Sequence, residues 1–127
     1  MRNDLFALAL LLVGFLATSD SARAHHGYTA FDTKTEVTLT GTVSEFHFVN
    51  PHCVIEFEVK SEDGEAHKWQ GELTSANRLA PRGWSAASLK AGDAVTVTGY
   101  RAKNGARSVW INKLVSNGQA LKIEGPD

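Results

Sequence analysis

Residues Glu36–Phe48 read EVTLTGTVSEFHF. Val37, Leu39, Gly41 and Val43 occupy alternate positions, so they share one face of an extended strand. After Val43 the apolar positions move by one residue, to Phe46 and Phe48. A one-residue slip inside a long strand predicts a β-bulge, which bends and coils the strand so that it can serve two halves of a closed sheet.

Working outward, Val49–His52 is a turn, because Pro51 has no amide donor for a central ladder. Cys53–Lys60 alternates again, with Cys53, Ile55, Phe57 and Val59 inward and Val54, Glu56, Glu58 and Lys60 outward. Asp63-Gly64 is a hairpin signal, and so are Asn104-Gly105 and Asn117-Gly118. Ala66–Leu73 predicts a third strand. Thr74 or Ser75 then caps a short helical turn that runs to Leu79 and stops at Pro81. Residues 83–92 read as loop, Asp93–Arg101 and Arg107–Val115 as strands, and Ala120–Ile123 as a short return. The predicted fold is all-β: a small five-stranded antiparallel OB-like barrel with a short helix between strands three and four. A small β-sandwich is the alternative.

The amino terminus reads differently. Leu5–Ala17 is an uninterrupted apolar run, shorter than the roughly 20 residues that span a bilayer. Arg2 precedes it, Thr18–Ser21 is polar, and Ala22-Arg23-Ala24 offers small residues at −3 and −1 of a cleavage site. The expected organisation is therefore a signal peptide at 1–24, an arm at 25–35 and the barrel domain at 36–127. Cleavage between Ala24 and His25 would leave a periplasmic or secreted chain with no stable membrane insertion.

The formal net charge is −1. It stays −1 without residues 1–24, since Arg2 and Arg23 balance Asp4 and Asp20. A near-neutral domain lacks the basic footprint of a nucleic-acid binder, so no nucleic-acid partner is expected. The single cysteine, Cys53, leaves no intramolecular disulfide. No nucleophile elbow, phosphate-binding glycine loop or paired CxxC is present, so no catalytic residues are assigned.

All five histidines lie after residue 24. Were His25 the first residue of the mature chain, its α-amine and ring Nδ1 would chelate one metal. Both nitrogens deprotonate readily near neutral pH. A third imidazole, from His26, His47, His52 or His67, would complete a planar N₃ set of the kind Cu(II) prefers. Copper at His25, His26, His52 and His47 is thus the metal expectation. His47 and His52 are expected to converge across their hairpin. The alternative is a non-metal ligand or a protein partner on the barrel face, with Trp84, Glu72 and Asn50 as contacts. In that reading Trp69 and Trp110 fill the core, and Glu72 accepts from Arg78 or Arg82.

Several pieces together resemble a family of short exported bacterial proteins known only as a domain of unknown function. They are His25-His26-Gly27 with Phe31-Asp32, Gly41-Thr42-Val43, Asn50-Pro51-His52, Trp69–Glu72, Arg82-Gly83-Trp84 and Leu89–Val97. The resemblance implies secretion and a barrel-like domain. It implies no activity, and Cys53 is outside its pattern.

Overall fold

The structure, a computed structural model, describes residues 27–123. These residues are mostly β, with six strands among them: β1 (Phe31–His47), β2 (Val54–Lys60), β3 (Ala66–Glu72), β4 (Ala94–Ala102), β5 (Ser108–Ser116) and β6 (Gln119–Leu121). A single short helix, α1 (Ala76–Leu79), lies between β3 and β4. The sheet order is β3-β2-β1-β4-β5-β6, and β3 also pairs with β5. Five strands therefore pair in a ring, β1-β2-β3-β5-β4 and back to β1, while β6 extends from β5 alone. The count of five and the all-antiparallel arrangement are corrected. The strands number six, and the β3–β5 seam is parallel and only three residue pairs long.

The long first strand behaves as its pattern predicts. Its register against β2 slips between Val43 and Glu45, so Ser44 is the extra residue. The loop before β4 docks on this bulge. Gly92 donates its N–H to the Val43 carbonyl at 2.8 Å, and Val43 donates to the Asp93 carbonyl at 2.9 Å. Asp93 is itself buried. Its carboxylate accepts from the Lys90 backbone N–H at 3.0 Å and from the Asn117 amide at 3.1 Å. Those bonds, with the Lys90 ammonium nearby, hold its pKa below the ordinary value.

β1 begins at Phe31, five residues before the predicted start. Phe31 is buried, and its register with β4 is irregular up to Glu36. Residues 31–35 of the assigned arm are therefore strand. A second slip, between Thr98 and Gly99 on β4, leaves Asn112 of β5 unpaired. Val109 and Ile111 point inward before it, and Leu114 points inward after it. A side chain at Gly99 would collide with the Trp110 carbonyl, so this close approach demands glycine.

Inside the ring, Val43, Ile55, Phe57, Leu73, Val95, Val97, Val109, Ile111 and Leu114 form the core. Each such side chain contributes about 1.5–3 kcal/mol by leaving water. Cys53 joins them, fully buried, with its thiol donating to the Val49 carbonyl at 3.5 Å. Burial raises its pKa. Helix α1 closes one end of the ring, with Leu79 buried. Ser75 caps it as predicted, accepting from the Arg78 N–H at 3.3 Å. Pro81 lies within the 3₁₀ turn Ala80–Arg82, which ends at Gly83 in the left-handed region. Among the described residues no helix is long and apolar enough to cross a membrane.

Candidate functional site

The Asn50-Pro51-His52 turn distributes its residues to two tasks. Asn50 faces α1, where its side-chain oxygen accepts the Asn77 N–H at 3.0 Å. That bond satisfies one of the orphan donors at the start of the helix, which gives the exposed Asn50 a structural task. The Asn50–Pro51 bond is cis. Beyond it the chain joins β3, with Cys53 and residues 73–74 exchanging backbone bonds of 2.9–3.0 Å. This carries His52 toward the β3–β5 seam.

There the half-buried His52 ring meets Trp110 edge to face, with centroids 5.4 Å apart and planes at 90°. Trp110 is the register partner of Glu72 across the seam. Tyr28 packs on Trp110 at 5.4 Å and 83°, and Phe31 at 5.9 Å. Tyr28 also meets Tyr100 at 6.4 Å. Edge-to-face pairs of this kind contribute about 0.5–1.5 kcal/mol beyond their buried area. Trp110 is therefore not a barrel-interior residue as predicted. It lies on the opposite side of β5 from Val109 and Ile111 and anchors an aromatic wall outside the ring.

Gly27 lies directly on His52. A Cβ built there would stand 2.5 Å from His52 Cε1 and 3.4 Å from each ring nitrogen. Among the described residues neither ring nitrogen of His52 takes part in a hydrogen bond, so both retain their capacity for a ligand. Glu72 stands on the same side and is half-buried. Burial raises its pKa, and the nearby His52 imidazole pulls it down. The pairing of Glu72 with Arg78 or Arg82 does not form. Arg82 instead donates to the Ile123 carbonyl. Gly27, Phe31, Glu72, Asn104 and Ser108 line an open cleft of about 220 Å³ beside this wall.

The other predicted ligands are elsewhere. His25 and His26 lie outside the described residues, as does the cleavage site. His47 does not converge with His52. Its Nε2 lies 3.6 Å from Glu45 Oε2, with Glu56 near both. His67 belongs to the far end of the β2–β3 hairpin, opposite Val59, whereas Glu72 is opposite Val54. Five residues of strand separate those ends, about 17 Å. Trp84 is buried, packs on Phe46 at 6.0 Å, and donates its indole N–H to the Lys122 carbonyl at 2.7 Å. It is a core residue, so the ligand-contact role expected from its loop position is corrected. Trp69 is half-buried against the core, with the Arg101 guanidinium 5.2 Å from its ring centroid. Sequence reasoning missed Gly27, Tyr28 and Trp110 as site residues. The signal available was the run of a glycine and two aromatics in a segment too short to pack alone.

The model of the DUF6152 family, a family of unknown function, matches residues 13–110. The chain belongs to this family. No curated protein matches it. Among solved structures it is similar to the N-terminal domain of PriB from Thermoanaerobacter tencongensis. That likeness has 22% identity and a TM-score of 0.46, covering 65% of this chain and 96% of that one. It is also similar to a small single-stranded DNA-binding protein from Streptomyces coelicolor, at 14% identity and TM-score 0.43, covering 65% and 94%. A third likeness is to TiaS, a tRNAIle2 agmatidine synthetase, at 18% identity and TM-score 0.43, covering 65% of this chain and 18% of that one. One expectation is corrected here. Excluding a nucleic-acid partner on net charge does not stand, because a protein named for binding single-stranded DNA is among the similar structures.

Proposed function

We propose that this DUF6152 chain is an exported binding protein, an OB-like barrel of five ring strands, which binds Cu(II) where its released amino terminus meets His52. The observation that carries the reading is the seat of Gly27 on the His52 ring. His25 is two residues from Gly27, and consecutive Cα atoms are about 3.8 Å apart. A mature chain starting at His25 thus begins two Cα steps, about 7.6 Å of chain, before the residue seated on His52. Its α-amine and ring nitrogen, with a His52 ring nitrogen, are the donor set that tetragonal Cu(II) takes. The half-buried Glu72 carboxylate supplies negative charge beside the bound cation, and the aromatic wall of Tyr28, Phe31 and Trp110 limits water on one side. With Trp84 buried, the reading of a ligand face around residues 74–92 loses its anchor.

The test is Cu(II) titration of protein with an authentic His25 start, followed by calorimetry and EPR. The control is the same chain with its α-amine acetylated, which removes the amine donor and adds no new chelate. Tight one-to-one binding that collapses in the control is expected. Equal weak binding in both would overturn the reading, and so would mass spectrometry showing that the exported protein starts elsewhere.

A further inference from the structure

A second set of metal-ligating side chains sits on the outer face of β1 and β2. The bulge at Ser44 is what assembles it. Once the phase of β1 has slipped, Glu45 and His47 share a face, because they are two residues apart on a strand. Glu45 is then directly opposite Glu56 in the antiparallel register. One ligand atom from each of Glu45, His47 and Glu56 lies within 4.8 Å of the other two. The His47 Nε2 to Glu45 Oε2 separation is already 3.6 Å.

Two features make this more than an exposed acidic patch. First, like charges directly opposite on paired strands are unfavourable. Among the described residues neither Glu45 nor Glu56 makes an ion pair with a lysine or arginine; the one ion pair at this face is Glu45 with His47. No lysine or arginine neutralises the pair by direct contact, and two basic side chains, Lys68 and Arg107, share a pocket with Glu56. Second, the third donor is an imidazole nitrogen rather than a further carboxylate, on a side chain 39% exposed. Ligand atoms around a tetrahedral ion with bonds of about 2.0–2.1 Å stand about 3.3–3.5 Å apart. Small rotamer changes of exposed side chains bring this set from 4.8 Å to that spacing.

We propose that Glu45, His47 and Glu56 form a surface site for a divalent ion of the Zn(II) class. One imidazole and two carboxylates fill three positions and leave the fourth open to water or to a donor from another molecule. The mixed donor set disfavours Mg(II) and Ca(II), which take oxygen ligands alone. Cu(II) is drawn to the nitrogen-rich terminus instead. The site uses neither His25 nor His52, so it stands or falls independently of the copper reading.

The experiment is Zn(II) titration of the form with an acetylated α-amine on His25, in which the terminal amine donor is blocked. One equivalent should bind, and His47→Gln and Glu56→Gln should each weaken binding about 10-fold or more, as loss of a ligand does. His52→Ala should leave the affinity unchanged. Thermal melts without metal keep the test from being a folding artefact. Glu56→Gln should match or exceed the parent Tm, since it relieves the opposed charges, yet lose the Zn(II)-induced rise. Absence of Zn(II) binding, parent-like binding by His47→Gln or Glu56→Gln, or loss of binding in His52→Ala would overturn the proposal. Equal binding of Ca(II) would also do so, by reducing the site to a nonspecific acidic surface.

Discussion

His47 and His52 are five residues apart in the chain and occupy contrasting surroundings. His47 stands on the outer β1–β2 face between exposed carboxylates. His52 stands at the β3–β5 seam against Trp110, beneath Gly27 and beside a desolvated glutamate. The intervening turn does not simply reverse the chain. Asn50 is pinned to α1 and Cys53 to β3, so the segment crosses from one side of the ring to the other. The contrast teaches that closeness in a hairpin does not make two side chains partners. What each imidazole can do follows from its neighbours, which are carboxylates in one case and aromatic rings with a half-buried glutamate in the other.

The largest effect should come from removing what the two regions share. Phe57 is fully buried, lying one residue beyond Glu56 on β2 and opposite Val43 at the bulge. Phe57→Ala should cost about 3–5 kcal/mol of stability, measured by denaturant unfolding, and should weaken metal binding at both faces together. If only one face responded, the two would not share a structural floor.

Next in size is a crossed pair of single substitutions. His52→Ala should lower Cu(II) affinity about 10-fold or more while leaving Zn(II) binding at the β1–β2 face intact. His47→Ala should do the reverse. Each variant titrated with both ions checks this, and a mixed result would merge the two regions into one site. A smaller effect is expected for Gly27→Ala. The added methyl would stand 2.5 Å from His52 Cε1, well inside van der Waals contact, so the arm or the ring must shift. Cu(II) affinity should fall by a few-fold with little change in Tm.

The smallest effects concern protons, and here two carboxylates should differ in sign. Glu72 has a raised pKa, so the folded chain holds its proton more tightly than the unfolded chain does. Its favourable contribution is present at low pH and is lost as pH rises through the raised folded value. Glu72→Gln should therefore raise Tm by a few degrees at neutral pH, with the difference vanishing in acid. Asp93 has a lowered pKa. Its contribution is present above the ordinary aspartate value and is lost as pH falls through the folded value. Asp93→Asn should lower Tm at neutral pH and converge with the parent in acid. Melting curves over a pH series decide both, and parallel shifts of the same sign would contradict the assignment.

Local patterns in the sequence carried much of this. Alternation in Cys53–Lys60, the slip after Val43, the Ser75 cap and the three Asx-Gly turns each have a nearest-neighbour cause, and each is found where it was read. The misses share another origin. The early start of β1 depends on Phe31 finding a buried place against Trp110, which is a long-range contact. The bulge at Asn112 exists to accommodate Gly99 and the Trp110 carbonyl, and nothing in RSVWINKLV alone announces it. Trp84 looks like a loop residue until Lys122 arrives to accept its N–H. The candidate copper site was half legible. Histidine chemistry could be read from the residue types, but the choice of His52 over His47 depends on which way the 48–53 turn delivers its side chains.

Cys53 offers something separate from either face. It is the chain's single thiol, it is fully buried, and burial disfavours its thiolate. Thiol reagents attack the thiolate and need access. Labelling of Cys53 should therefore report the rate at which the ring opens around it, as amide exchange reports protected amides. The molecule carries its own clock for core opening, to be read with and without bound metal and requiring no introduced probe.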